Sequence, residues 1–184
     1  MRREFTIQSK VDGLVLDGLV VEPEEGVQRT ALLQLSHGMS EYKERYLPFM
    51  EFMAEHGVVC VIHDHRGHGK SVKSEQDLGF MYGAGGAGLV EDLFLVTKWA
   101  KKEYPDLPFV LMGHSMGSPG CARIREGTRP GAGCADCVRF TEQELSAAAG
   151  CGCGTRGSGG ARGRASEQSS GGNVVWIVCG AVCG

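Results

Sequence analysis

Three short apolar runs, each followed by a polar loop, constrain the fold of this 184-residue chain more than any other feature. The runs are residues 31–35, 58–62 and 107–112. Apolar runs of this length are typical of strands that are covered on both faces of a sheet. Because such strands need helices above and below them, the runs predict a parallel sheet with right-handed helical crossovers.

Two amphipathic helices are predicted between these strands, over residues 43–55 and 89–103. Their apolar residues recur every three or four positions and therefore fall on one face. The expected buried residues are Tyr46, Phe49, Met50 and Met53 in the first helix and Leu89, Leu93, Val96 and Ala100 in the second. Near the start of the chain, apolar stretches on both sides of the Asp12-Gly13 turn predict a β-hairpin.

The last apolar run leads directly into the pattern G-x-S-x-G, which reads Gly113-His114-Ser115-Met116-Gly117. In this pattern a serine sits on a sharp turn from strand to helix, where only small residues on either side let the two elements approach. The pentapeptide arises often by chance in glycine-rich chains, but the strand directly before it favours a nucleophile elbow. Ser115 is therefore the candidate nucleophile.

Acyl transfer also needs two N–H groups that stabilise an oxyanion. One is expected on Met116, which follows the nucleophile, and the other on the loop after the third strand. That loop begins with His37-Gly38-Met39, so the N–H of Met39 is the second candidate. We assign His37 a role in shaping the loop rather than in proton transfer.

A third motif, D-x-R-G-x-G-x-S, lies between these two and reads Asp64-His65-Arg66-Gly67-His68-Gly69-Lys70-Ser71. In order and spacing the three motifs resemble the monoacylglycerol lipase and lysophospholipase group of α/β hydrolases, also called the serine aminopeptidase family. The resemblance covers residues 5–118. It implies an α/β-hydrolase fold whose mostly parallel sheet of about five strands, with flanking helices, is truncated after the nucleophile elbow.

The resemblance also implies a function: a Ser-His-Asp esterase that acts on carboxylic esters such as monoacylglycerols or lysophospholipids, with no cofactor. By that resemblance Ser115 is the nucleophile, and Asp64 and Arg66 hold the loop after the fourth strand. The remaining motif positions are structural, namely His37, Gly38, Gly67, Gly69, Gly113 and Gly117.

Other readings of the same stretch are weaker. The side chains of His63, Asp64, His65 and His68 could bind zinc, but the D-x-R-G-x-G-x-S motif accounts for most of them structurally. A G-x-G-x-x-G pattern at residues 83–88 follows a polar loop rather than a strand, which disfavours dinucleotide binding. Residues 69–71 resemble the end of a P-loop, but the required first glycine would fall on Asp64. We therefore expect no metal and no cofactor.

The amino-acid composition of the chain changes after residue 118. Residues 1–118 contain all seven lysines, all six histidines and one of the eight cysteines, whereas residues 119–184 contain seven cysteines and many glycines. One domain rarely changes composition so sharply. We therefore predict the N-terminal half of a hydrolase domain over residues 1–118 and a low-complexity tail over residues 119–184.

The tail lacks what a hydrolase of this type needs next, which is further strands, an acid and then a histidine. No histidine follows His114, and no strand pattern places Asp136, Glu142 or Glu144 at an acid site. The triad acid and base are therefore missing from this chain. We also expect the sheet to stop at its fifth strand and to leave that strand with an unpaired edge.

Several interpretations of the tail are open. Cys134 and Cys137 form a C-x-x-C pair and Cys151 and Cys153 follow, but the irregular spacing disfavours zinc, and a disulfide framework would require an export signal. Disorder fits residues 155–172 best. We favour translation out of frame, because deleting one base from degenerate codons starting at Pro119 permits a helix and then a buried strand.

Two classes of function remain. The first is a serine hydrolase of carboxylic esters whose complete parent forms an acyl-enzyme, while this chain is inactive for want of its triad His and Asp. The alternative is a non-catalytic hydrolase-like protein with a cysteine-rich interaction or metal-binding tail. The net charge of −3 and the absence of an apolar leader favour a cytoplasmic protein with a small-molecule ester substrate, no nucleic acid and no stable membrane insertion. The oligomeric state is open.

Overall fold

The computed structural model describes residues 1–118 and the backbones of two further strands. Seven strands and two α-helices make up the described part. In chain order they are β1 (Arg2–Gln8), β2 (Val15–Val21), β3 (Ala31–Ser36), a 3-10 turn (Lys43–Tyr46), α1 (Leu47–Glu55), β4 (Val58–His63), a second 3-10 turn (Glu75–Asp77), α2 (Gly85–Glu103), β5 (Phe109–His114), β6 (Cys137–Thr141) and β7 (Val175–Ala181).

The strands form one sheet in the order β1-β2-β4-β3-β5-β7-β6. The three central strands, β4, β3 and β5, are parallel, as their apolar runs predict, and β1 and β2 form the predicted hairpin. Because β2 is antiparallel to both β1 and β4, four of the first five strands run in one direction. The predicted α/β fold is confirmed, and the loops after β3, β4 and β5 emerge at the same edge of the sheet.

The core lies on both faces of the sheet, as the continuous apolar strands require. On one face Val59 and Val61 of β4 pack with residues of α2, and on the other Cys60 and Ile62 pack with residues of α1. All four residues predicted for the buried stripe of α2 are buried. In the first helical segment Tyr46 and Met50 are buried and the other two predicted residues are only partly covered.

Both helices begin at positions that differ from the predicted ones. The first starts as a 3-10 turn at Lys43 and becomes α-helical at Leu47, and the Lys43 side chain turns inward to the buried Asp64 carboxylate. The second starts at Gly85, inside the glycine-rich segment. A Cβ on Gly88 would lie 2.7 Å from Cζ of Arg66, so this glycine lets α2 pass close over a buried guanidinium.

The prediction that β5 has an unpaired edge is wrong. Strand β7 pairs antiparallel with β5 along its whole length, from Phe109 opposite Ala181 to His114 opposite Trp176, and β6 pairs with β7. The apolar, β-branched run in β7 suits a strand, and its pairing satisfies the backbone N–H and C=O groups of β5. The five predicted strands are present, and β7 and β6 extend their sheet by two antiparallel strands. The disorder predicted for residues 155–172 lies outside the described residues.

No helix in the described part of the chain combines the length and the apolar character that crossing a membrane requires.

Candidate active site

Ser115 occupies a sharp turn directly after β5. Its φ of +47° lies in the left-handed region, which an L-residue adopts only when the surrounding structure enforces it. The turn continues through a hydrogen bond of 3.0 Å from the N–H of Ser118 to the carbonyl of Ser115. Ser115 is solvent-exposed, whereas Gly113 before it and Gly117 after it are buried. A strained, exposed serine at the carboxyl end of a central parallel strand is the geometry of a nucleophile elbow.

Packing against β3 explains why position 117 must be glycine. A Cβ at this position would collide with the carbonyl and hydroxyl oxygens of Ser36. The Ser36 hydroxyl in turn contacts the carbonyl of Gly117 at 3.4 Å, and the buried Ser118 hydroxyl donates to the carbonyl of Gly113 at 2.8 Å. Contacts with the neighbouring strand β3 therefore hold the elbow in place.

The loop after β3 passes beside this elbow. His37 is fully buried, and its Nε2 accepts a hydrogen bond of 2.9 Å from the N–H of His65. The proton of a neutral ring is then on Nδ1, which donates to the carbonyl of Gly38 at 2.8 Å. Burial lowers the pKa of His37, so the ring is neutral at pH 7. Both of its nitrogens are occupied by these two hydrogen bonds. These contacts agree with a loop-shaping role.

The peptide that follows His37 has a defined orientation. Across a planar trans peptide, the Gly38 carbonyl and the Met39 N–H point in opposite directions. Because the carbonyl points to the buried His37 ring, the N–H of Met39 points away from it. Within the described residues, neither the Met39 nor the Met116 N–H donates a hydrogen bond.

A cleft of about 570 Å³ opens beside Met39, between the loops that follow β3 and β4. Its walls include Met39 and Tyr42 from the first loop and Gly67, His68 and Leu78 from the second. A small molecule therefore has room beside Met39.

Asp64 organises the start of the loop after β4. Its carboxylate accepts hydrogen bonds from the backbone N–H groups of Lys43 and Lys70, at 2.7 and 2.9 Å, and from the Lys43 ammonium at 2.8 Å. Burial lowers the pKa of Lys43, but hydrogen bonds to Asp17, Asp64 and Glu44 outweigh it and raise that pKa above its usual value. Lys43 is therefore a buried cation that ties the loops after β3 and β4 together.

Arg66 is fully buried in the same loop. Its Nε donates to Asp92 of α2 at 2.7 Å, and its two Nη atoms reach Asp12 at 3.0 Å and Ser9 at 3.1 Å. These contacts connect the β1–β2 turn, the loop after β4 and helix α2. Gly67 has a φ of +75°, and a Cβ there would lie 2.5 Å from the carbonyl oxygen of Phe80.

The remaining histidines of this region are buried as well. Burial, and then the neighbouring His37, lowers the pKa of His63 to about 3 and the pKa of His65 well below its ordinary value. Neither ring nitrogen of His63 has a hydrogen-bond partner among the described residues. Within residues 1–118, no three histidine, cysteine or carboxylate side chains are arranged to hold a metal ion.

Glu41 belongs to this site although sequence reasoning missed it. Its Oε2 accepts hydrogen bonds from the Gly38 N–H, the Tyr46 hydroxyl and His114 Nδ1. The available signal was a carboxylate four residues after His37, in the loop that also contains Met39. Asp92 was missed too, and its signal was a charged residue inside the apolar stripe of α2.

The chain matches known proteins over its N-terminal part. The family described as serine aminopeptidase, S33, matches residues 27–130. The monoglyceride lipase of Homo sapiens is 32% identical over 101 residues, which are 55% of this chain and 31% of that protein. A monoglyceride lipase homolog of Monkeypox virus is 35% identical over 88 residues, which are 48% of this chain and 30% of that protein.

A solved structure agrees with these relatives. The thermostable carboxyl esterase of Bacillus coagulans, in complex with glycerol, superposes with a TM-score of 0.57 at 30% identity. The superposition covers 65% of this chain and 38% of the esterase. The chain spans about a third of the length of the curated relatives it matches.

Proposed function

The chain belongs to the serine aminopeptidase S33 family, and from that premise we propose that it carries the nucleophile half of a serine hydrolase of carboxylic esters. The relatives named above make it a monoglyceride lipase-like α/β hydrolase. Monoacylglycerols, and after them lysophospholipids, are the proposed substrates of the complete parent protein. The substrate named for the human relative supports the first choice.

One observation carries this proposal: the exposed Ser115 elbow and the His37–Met39 loop lie at the same edge of neighbouring parallel strands. Ser36 at the end of β3 is in register with Gly113 at the end of β5. The N–H groups of Met39 and Met116, which have no acceptor within the described residues, support a role as oxyanion donors.

In the proposed reaction the Ser115 hydroxyl oxygen attacks the ester carbonyl carbon and loses its proton to a general base. The carbonyl oxygen becomes an oxyanion that the N–H groups of Met39 and Met116 stabilise. Collapse of this intermediate expels the alcohol, which takes up the proton, and leaves an acyl-enzyme on Ser115. Water then hydrolyses the acyl-enzyme and releases the carboxylic acid.

Residues 115–184 contain no histidine, which supports the proposal that the general base of the complete parent is missing from this chain. Of the earlier histidines, His37, His63, His65 and His68 are buried, and His114 Nδ1 contacts Glu41. Triad members act as a unit, and loss of one leaves only about 10³- to 10⁴-fold catalysis over water. The 184-residue chain should therefore hydrolyse esters slowly or not at all.

We further propose that residues 119–184 are read out of frame relative to the parent hydrolase, so that the domain boundary falls at residue 118. The loss of lysine and histidine and the excess of glycine and cysteine support this proposal. The nucleotide sequence tests it directly: a single-base change near codon 118 should open a long frame that contains an acid and then a histidine. If no such frame exists, the proposal fails.

A fluorophosphonate probe tests the nucleophile. We expect slow labelling of the purified chain, no labelling of Ser115→Ala, and unchanged labelling of Ser74→Ala, which removes an exposed serine elsewhere. The frame-corrected protein should label faster and hydrolyse a monoacylglycerol. Equal labelling of the chain and of Ser115→Ala would assign the reaction to another residue.

No contact among the described residues favours the alternative of a non-catalytic protein with a metal-binding or interaction tail, and we do not propose it.

A further inference from the structure

Glu41 has an unusual concentration of donors on one oxygen atom. Its Oε2 accepts from the Gly38 N–H at 2.7 Å, from the Tyr46 hydroxyl at 2.7 Å and from His114 Nδ1 at 2.9 Å. Its other oxygen, Oε1, lies 3.4 Å from Nε of Arg45, and only 9% of its side chain is exposed. A carboxylate with this many partners is held in a single position.

The three donors come from three different segments. Gly38 lies in the loop after β3, Tyr46 lies at the start of the first helical segment, and His114 is the residue before Ser115. One carboxylate oxygen therefore connects the segment that carries the Met39 N–H to the segment that carries Ser115 and Met116. Glu41 thus bonds to both of these segments at once.

Glu41 and His37 together restrain the backbone that leads to the Met39 N–H. The N–H of Gly38 is held by Glu41 and its carbonyl is held by His37, so the backbone on both sides of the Gly38 Cα is restrained. A Cβ on Gly38 would lie 2.8 Å from Nδ1 of His114 and 2.9 Å from Oε2 of Glu41. The loop is thus packed directly against Glu41 and the elbow, and a rotation of its peptides would break at least one of these bonds.

The negative charge of Glu41 is not itself useful next to a site that must stabilise an oxyanion, because two negative charges repel. Burial raises the pKa of Glu41, but hydrogen bonds from Tyr46, His114 and Gly38 outweigh it and lower that pKa below its usual value. The group is therefore ionised, and its donors offset the charge. The contribution of Glu41 to the site is therefore an acceptor oxygen in a fixed position.

We propose that Glu41 is the positioning residue of the oxyanion hole. Glu41 holds the loop after β3 against the nucleophile elbow, so that the N–H groups of Met39 and Met116 face the same point. This inference rests on the proposed function of Ser115, Met39 and Met116. It assigns Glu41 no contact with the substrate and no proton transfer.

The test compares Glu41→Ala with Glu41→Gln, since glutamine keeps an acceptor oxygen and removes the charge. The readout is the rate at which a fluorophosphonate labels Ser115, with Glu55→Ala, an exposed glutamate of α1, as the control. Misplacement of a catalytic group by about 1 Å costs up to about 10²-fold in rate. We expect labelling of Glu41→Ala to slow by about 10- to 100-fold, and labelling of Glu41→Gln and Glu55→Ala to stay close to wild type.

Two labelling outcomes would overturn the proposal. Glu41→Ala could label as fast as wild type, or Glu41→Gln could slow as much as Glu41→Ala, which would make charge rather than acceptor position the relevant property. Thermal unfolding of each variant shows whether a slow rate reflects loss of the fold.

A second measurement separates this inference from the proposed function. Amide hydrogen exchange of Gly38, followed by NMR, does not depend on whether Ser115 reacts. The Gly38 amide should exchange faster in Glu41→Ala than in wild type and should stay protected in Glu41→Gln. Failure of the frame-corrected protein to label would overturn the proposed function, whereas unchanged Gly38 exchange in Glu41→Ala would overturn the positioning role.

Discussion

The loops after β3 and β4 leave the sheet at the same edge and are made of similar residues, yet they use their polar groups in opposite ways. In the loop after β4, Asp64 and Arg66 are fully buried and direct their side chains inward to other parts of the protein. In the loop after β3, His37 and Glu41 hold a backbone segment so that the Met39 N–H is left without an acceptor among the described residues. The loop after β4 is a scaffold and the loop after β3 is the proposed site, and a motif match alone does not tell the two apart.

The largest expected loss of stability comes from a substitution in the loop after β4, the scaffold loop. Arg66→Ala leaves Asp92 buried without its partner, and breaking a buried ion pair in this way costs about 3–5 kcal/mol of unfolding free energy. Arg45→Ala removes a largely exposed arginine from the other loop and should cost no more than about 1 kcal/mol. Urea unfolding measures both, and similar losses would contradict the distinction between the loops.

A smaller effect is expected from glycines of the scaffold loop. Gly69 has a φ of +48°, and a Cβ there would collide with the Asp64 carboxylate, so Gly69→Ala should cost about 2–3 kcal/mol. Gly79→Ala is the matched control, because its φ is +85° but nothing lies within 4 Å of the added Cβ. It should cost about 1 kcal/mol from backbone strain alone. Equal losses in urea unfolding would show that the Asp64 carboxylate moves aside.

The buried histidines predict how stability depends on pH. Burial lowers the pKa of His63 to about 3, so the unfolded chain binds a proton near pH 6.5 that the folded chain does not bind until about pH 3. Stability should therefore be intact above pH 6.5 and fall between pH 6.5 and 3, with a slope of up to about 1.4 kcal/mol per pH unit from this group. His63→Leu should reduce that slope in unfolding curves recorded from pH 7 to pH 4. An unchanged slope would assign the acid sensitivity to other groups.

The smallest effect is expected from a substitution in the loop after β3, the site loop, and it tests whether the Met39 side chain contributes to the site. The proposed oxyanion donor is the backbone N–H of Met39, and its side chain is 66% exposed. Met39→Ala should therefore change unfolding free energy by less than about 0.5 kcal/mol and leave the fluorophosphonate labelling rate nearly unchanged. A large drop in labelling at constant stability would indicate that the side chain, through the adjacent cleft, contributes to binding the probe.

Much of the fold can be predicted from the sequence because its strands and helices are marked by local periodicity. The runs at residues 58–62 and 107–112 lie in central strands, and Leu93 and Val96 lie on the buried face of α2, as predicted. The helix starts were predicted less well, and local periodicity carries no sign of the contacts made there, of Lys43 with Asp64 and of Gly88 with Arg66. Both contacts join residues far apart in sequence.

The candidate site was predictable only where a motif marks it. Ser115 and the His37-Gly38-Met39 loop are found by pattern, and their roles remain predictions until the labelling experiments are done. Glu41 could not be found this way, because its importance comes from His114, which lies far along the chain and adjoins the loop only after β3 and β5 pair. The pairing of β7 with β5 was missed for the same reason.

That pairing has a consequence for the order in which the protein forms during synthesis. Strands β1 to β5 are neighbours in the chain and can pair as soon as they emerge from the ribosome, whereas β7 must close a much longer loop to reach β5. Until Val175 has been translated, strand β5, which ends directly before Ser115, presents an open edge to other nascent chains. Slow translation of the intervening glycine-rich segment would lengthen that interval and favour aggregation at the strand that carries the candidate nucleophile.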